Sequence, residues 1–212
     1  MKYKLSPSTL NLMEECNRCF WLHVVRNVKR PFGMMAGIVM KMDSIIKHYF
    51  DSYREKDLLP PMVEGKITGF LPKNMPKTLS HEENSIIIIA GKPDEYLELP
   101  TGEIVAFDHK TKSKAPEEAH PSNQLQLDVY TYLLKMNGYK TANKGYLAFY
   151  YPEDCELHDG MDMHVKILEI KTDPDRVKTL LSKADNILQL EEPPQPSKEC
   201  EYCLWAKGVS QE

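Results

Sequence analysis

Two cysteine pairs lie at opposite ends of this 212-residue chain: Cys16-Asn17-Arg18-Cys19 near its start and Cys200-Glu201-Tyr202-Cys203 near its end. Four thiolates in two C-x-x-C pairs close a tetrahedral site for zinc, or hold an iron–sulfur cluster. A site of that kind ties residues 1–35 and 193–212 into one lobe, so the fold must bring the two ends of the chain together. The bland alternative is four small buried hydrophobes, but two such pairs rarely arise by chance. Cys155 is left over and reads as a structural or exposed free thiol. Residues 1–5 are not followed by an apolar stretch and a small-residue cleavage site, so a reducing cytoplasm is expected rather than secretion. There, paired cysteines are more often metal ligands than disulfides.

The length implies a single domain, residues 1–212, large enough to bury a real core without help from a metal. The net charge of −4 gives no overall attraction to nucleic acid, so any such binding needs a local basic patch. No apolar run approaches a membrane span, and no membrane partner is expected. A Gly-rich phosphate loop is also missing, which argues against a helicase motor.

Local signals set the elements. Ser6-Pro7-Ser8-Thr9 reads as a helix start, with Ser6 as N-cap and Pro7 at the first helical position. That helix is expected to continue through both N-terminal cysteines to Phe20-Trp21-Leu22. Gly33 and Gly37 bound a break. Val39, Met42, Ile45, Ile46, Tyr49, Phe50 and Tyr53 then recur at helical spacing, predicting a long amphipathic helix over about 38–54. Residues 59–80, rich in proline, read as loop. Strands are expected at 86–89, 95–99 and 104–110 as a meander, with Pro100-Thr101-Gly102 as one turn. A helix over 122–137 ends at Gly138, strands follow at 146–151 and 163–170, and Asp173-Pro174 opens a last helix. This is a mixed α/β domain with a central sheet flanked by helices.

The strand at 104–110 carries the most pointed chemistry. Side chains alternate along a strand, so Asp108 and Lys110 share a face. Asp94 begins the antiparallel partner and is brought alongside. Two carboxylates suit a hard divalent cation such as Mg²⁺, which can activate water and offset charge on a phosphodiester. A lysine beside them can orient or deprotonate the water, or steady the anion. An acid-x-lysine triplet is common, so its bland reading is a solvated strand end, and Asp94 has the alternative of a turn residue. Gln126 and Tyr130, four apart, share a helix face that can support such a site.

In this order the pieces resemble the PD-(D/E)XK nuclease superfamily, and within it the RecB-type branch that includes CRISPR-associated exonucleases with an iron–sulfur cluster. The likeness runs from Ser6-Pro7-Ser8-Thr9-Leu10 and the first cysteine pair, through Gly91-Lys92-Pro93-Asp94, Phe107-Asp108-His109-Lys110-Thr111 and Gln126 to Tyr130, to Cys200–Cys203. It implies a restriction-endonuclease-like core. It further implies that Asp94, Asp108 and the backbone carbonyl of His109 bind Mg²⁺ or Mn²⁺, that Lys110 is catalytic, and that Gln126 and Tyr130 support the site. Cys16, Cys19, Cys200 and Cys203 would hold a [4Fe–4S] cluster, with zinc the alternative. DNA, single-stranded at its ends, would be the substrate, with protein partners in repair, recombination or CRISPR spacer acquisition. Two departures stand out. The branch has a histidine ligand shortly after the glycine that opens the long helix; here Lys41 stands in that region, and Asp43 or His48 would have to substitute. The branch also splits its cysteines one and three, whereas here they split two and two, with Val209 where a last cysteine is expected.

Residues 17–42 contain Arg18, Arg26, Lys29, Arg30 and Lys41 and no acid, interleaved with Phe20, Trp21 and Phe32. With Lys112 beside the carboxylates, these are the expected nucleic-acid contacts, since basic grooves with aromatic platforms suit single strands. Trp21 itself is expected in the core. Two other readings remain: a nucleic-acid-binding module without catalysis, and a metal-clipped interaction or redox-sensing protein.

Overall fold

A computed structural model describes residues 2–31, 37–54, 56, 58–158 and 160–209. Gly33 and Phe32 of the expected break and basic patch lie outside the described residues. The elements run β1 (Tyr3–Leu5), α1 (Pro7–Glu15), α2 (Asn17–Arg26), α3 (Gly37–Arg54), β2 (Leu79–Glu82), β3 (Ile87–Gly91), β4 (Glu95–Glu98), β5 (Ile104–Thr111), α4 (Pro121–Met136), β6 (Lys144–Pro152), β7 (Met163–Lys171), α5 (Pro174–Leu188) and α6 (Glu201–Val209).

The main sheet has the order β4-β5-β6-β7, with β5 and β6 parallel and the outer pairs antiparallel. Alternation along β5 divides the core. Val105 and Phe107 join Ile46 and Phe50 of α3 on one face. Ala106 joins Leu127 and Tyr130 of α4 on the other. Burying a side chain such as Phe50 contributes about 1.5–3 kcal/mol, and its loss to alanine would cost about 3–5 kcal/mol. The helices α1, α2, α4 and α5 close a second core through Leu10, Phe20, Val129, Leu133 and Leu181. Trp21 is buried there, as expected, and its indole N–H donates to the Leu190 carbonyl at 3.1 Å.

Two expectations are corrected. The meander does not continue through β3, which leaves the main sheet and pairs parallel with β1 and antiparallel with β2. Lys92-Pro93-Asp94 separates it from β4, and Pro93 has no N–H to give a ladder. The single helix through the first cysteines is instead two. Cys16 is extended (φ −161°, ψ 112°) between α1 and α2, although Ser6 and Thr9 form the capping box that starts α1. The break turns the Cys16 sulfur toward the C-terminal segment, where it accepts from the Ser197 N–H at 3.4 Å.

Candidate active site and metal centres

The carboxylates meet at the end of β5. Glu95 pairs with Phe107, so the residue before β4, Asp94, arrives beside Asp108. Asp94 Oδ2 accepts from the His109 N–H at 3.1 Å, which fixes it to the strand. From α4, the Gln126 amide nitrogen lies 3.0 Å from Asp108 Oδ1 and 2.8 Å from the Tyr130 hydroxyl, while its oxygen accepts from Lys110 Nζ at 2.8 Å. Tyr130 in turn donates to the Lys92 carbonyl at 3.0 Å, tying α4 to the turn that carries Asp94. Gly91 is required at the start of that turn. A Cβ there would stand 2.8 Å from the Tyr130 ring and 3.0 Å from Leu133. All five expected residues, Asp94, Asp108, Lys110, Gln126 and Tyr130, therefore fall in one network.

His109 is divided between two faces. Its backbone belongs to the network, but its ring points the other way, among Phe50, Phe107 and Tyr150. Burial brings the ring's pKa down to about 4, so it is neutral at pH 7.

Electrostatics make the carboxylates receptive to a cation. Asp108 is 1% exposed, and burial raises its pKa to about 6; Lys110 partly offsets this and Asp94 adds to it. Asp108 Oδ2 is in ionic contact with Lys110 but has no hydrogen-bond partner. Two facing carboxylates, with the buried Asp108 Oδ2 met only by the Lys110 ammonium, fit a hard divalent ion such as Mg²⁺ or Mn²⁺.

Sequence reasoning missed Lys47. Among the described residues, α3 presents this side chain to the site, with Nζ 3.5 Å from Asp94 Oδ1 and 2.8 Å from Asp43 Oδ2. Burial works against its charge, but Asp43 and Asp94 outweigh it and raise its pKa. Lys41 and His48 are exposed on α3, and Asp43 is engaged by Lys47. The spacing i, i+4 to Asp43 is visible in the sequence; the reach to Asp94 depends on how α3 docks. That docking is held by an ion pair of Arg54 with the buried Glu95, beside Asp94. A cavity of about 300 Å³ opens here between α3 and the Asp94 turn.

The four expected cysteines also meet. Cys16 lies 4.0 Å from Cys203 (Sγ to Sγ), and Cys19 lies 3.6 Å from both Cys200 and Cys203, with all four sulfurs within 4.8 Å of one another. One tetrahedral ion with Zn–S bonds of about 2.3 Å spaces its sulfurs about 3.8 Å apart. Four sulfurs gathered this closely could hold one tetrahedral ion or, with the side chains opened around it, an iron–sulfur cluster. Burial raises the Cys16 thiol, but the N–H groups of Cys19 and Ser197 outweigh it and leave a pKa of about 7. Burial and the neighbouring sulfurs push Cys203 upward. Thiolates this close need a cation to ionise together.

The expected nucleic-acid contacts divide. Arg30 pairs with Glu15, donates to the Cys200 sulfur at 3.5 Å and lies over the Tyr202 ring at 4.6 Å. Arg18 donates to the Pro194 carbonyl at 3.3 Å, and Arg26 lies over Trp21. These three therefore also brace the cysteine lobe. Lys29 and Lys112 are exposed.

Residues 37–207 match the sequence model of the PD-(D/E)XK nuclease superfamily. The chain belongs to that superfamily. The PD-(D/E)XK match includes every residue of the carboxylate network and begins after Cys16 and Cys19. In backbone the chain is similar to an alkaline exonuclease from Laribacter hongkongensis, at 12% identity over 98% of this chain and 94% of that one, with a TM-score of 0.46. It is also similar to a phage-related exonuclease from Haemophilus somnus 129PT, at 11% identity over 91% and 82%, with a TM-score of 0.42. No curated protein matches by sequence. Membership of a nuclease superfamily makes phosphodiester hydrolysis the reaction class of the chain. No helix among the described residues is long and apolar enough to cross a membrane.

Proposed function

We propose that this protein is a Mg²⁺- or Mn²⁺-dependent deoxyribonuclease that acts as an exonuclease on single-stranded DNA ends. The observation that carries this reading is the single network joining Asp94, Asp108, Lys110 and Gln126 at the end of β5. Asp94, Asp108 and the His109 carbonyl are the proposed ligands. When bound, the divalent ion neutralises charge on the scissile phosphate and makes water more acidic. Lys110 lies against Asp108, where it orients the attacking water or steadies the phosphate anion. Gln126 aligns Lys110 and Asp108 through its two amide atoms, and Tyr130 holds Gln126 in place. Work in repair, recombination or CRISPR-type DNA processing, with protein partners and in the cytoplasm, is part of the same reading.

For the cysteine site, whose residues 1–35 and 193–212 form the clipped lobe, the proposed occupant is a [4Fe–4S] cluster, with zinc the alternative. Metal analysis finding iron with acid-labile sulfide, and a broad visible absorption, would support the cluster. Zinc equimolar with protein and no such absorption would reverse the choice.

A second reading, a binding module without catalysis, draws on Lys47, which places a cation at Asp94 where a metal ligand would serve catalysis better. Cleavage of end-labelled single- and double-stranded DNA, with Mg²⁺, Mn²⁺ or EDTA, separates the two. Metal-dependent cleavage that is lost in Asp108→Ala supports the nuclease. Binding without cleavage by folded protein supports the module.

A further inference from the structure

A further cavity lies away from the carboxylates. It is a cleft of about 620 Å³ between α2, the strand-free segment after it and α6, against the cysteine site. Its cations are Arg18, Lys29, Arg30 and Lys207, and no acid lines it among the described residues. Its aromatic walls are Tyr202 and Trp205, both from α6. Trp205 is 67% exposed, although a ring of this size is normally buried for its apolar area. Nothing on α6 is buried. Lys29 and Lys207 are exposed and have no ion pair or hydrogen bond among the described residues. Cys19 and Cys203 both line the cleft, so the metal they share would hold its two walls at a fixed separation.

Two unpaired lysines, an exposed indole and the lack of a carboxylate among the described lining together fit a polyanion with flat faces to stack. We propose that this cleft binds single-stranded nucleic acid, with a base stacked on Trp205 and the phosphates on Lys29 and Lys207. Arg30 is already committed to Glu15 and the Cys200 sulfur, and its role here is to position Tyr202, over which it lies. The inference rests on the nuclease reading for its substrate class, but it concerns a surface separate from the carboxylate network. Charge decides against an apolar protein partner, because the exposed Lys29 and Lys207 would have to be desolvated against a neutral surface.

The test measures binding without cleavage. Fluorescein-labelled oligothymidylate and a duplex of equal length are titrated with metal-loaded full-length protein in Mg²⁺-free buffer. The expected result is preference for the single strand, with quenching of tryptophan fluorescence. Trp205→Ala should weaken binding about tenfold, within the range of one stacked base. Lys29→Gln with Lys207→Gln should lower the salt dependence by roughly 0.7 per lysine in the slope of log K against log salt. Retained cysteine-site metal in each variant shows that the lobe still folds. Wild-type affinity and salt slope in both variants would overturn the cleft while leaving the nuclease reading to its own cleavage assay. Cleavage that fails while Trp205-dependent binding persists would overturn the nuclease and leave the cleft standing.

Discussion

Asp108→Asn should stabilise the protein when no divalent ion is present. The folded-state pKa of Asp108 is raised from 3.8 to about 6, chiefly by burial. The proton is therefore held more tightly in the folded state than in the unfolded one. Below the unfolded value the group is neutral in both states and has no effect. As pH rises from about 4 to about 6, the unfolded chain ionises while the folded one resists, and stability falls. A shift of about 2 units corresponds to a loss of about 3 kcal/mol above pH 6. Asparagine keeps the shape and the contact to Gln126 but carries no charge, so it recovers up to that amount, less whatever Lys110 loses with its counter-ion. At about 2–4 °C per kcal/mol for a chain of this size, Tm should rise by several degrees. The assay is thermal unfolding of both proteins across pH, without Mg²⁺ and then with it. Asparagine should be more stable at pH 7.5 and equal near pH 4, and Mg²⁺ should stabilise the wild type alone. A less stable Asn variant at pH 7.5, or a difference that does not depend on pH, would refute the reasoning.

Other variants follow from the same geometry. Gly91→Ala places a methyl against the Tyr130 ring, so it should cost about 1–3 kcal/mol by overpacking and displace Gln126; denaturant melts and cleavage rates would both register it. Lys47→Met removes the cation from Asp94 and should tighten Mg²⁺ binding by up to about fivefold, the scale of a partly exposed ion pair, as read by calorimetric titration. Tyr130→Phe breaks the hydrogen bond to the Lys92 carbonyl and should cost about 1 kcal/mol, with a further loss in cleavage rate. Cys19→Ser removes the sulfur nearest to both C-terminal cysteines, and should abolish metal retention at the lobe, as measured by metal analysis, while leaving β4–β7 folded by circular dichroism.

The sequence made the site more legible than the topology. Asp108, Lys110, Gln126 and Tyr130 could be placed by alternation along one strand and spacing along one helix, both local properties. Long elements with a strong period, α3, α4 and β5, appear within a residue or two of where the pattern puts them. The short strands β1 and β2 hold 3 and 4 residues, too few to show a period, and their pairing with β3 is a long-range choice. The break at Cys16 has no proline or glycine to announce it; the pull comes from the distant cysteine pair and Ser197. The tryptophan on α6 and the approach of Lys47 to Asp94 were invisible for the same reason, since both depend on how separate elements dock.

The most direct test of the account measures Mn²⁺ affinity by electron paramagnetic resonance, and DNA cleavage, on the same preparations of wild type, Asp94→Asn and Asp108→Asn. The account predicts that wild-type protein binds Mn²⁺ and cleaves, and that each substitution removes both together while the fold and the cysteine-site metal persist. Mn²⁺ held at full affinity by either variant, or cleavage that survives its loss, would contradict the claim that these two carboxylates build the catalytic metal site.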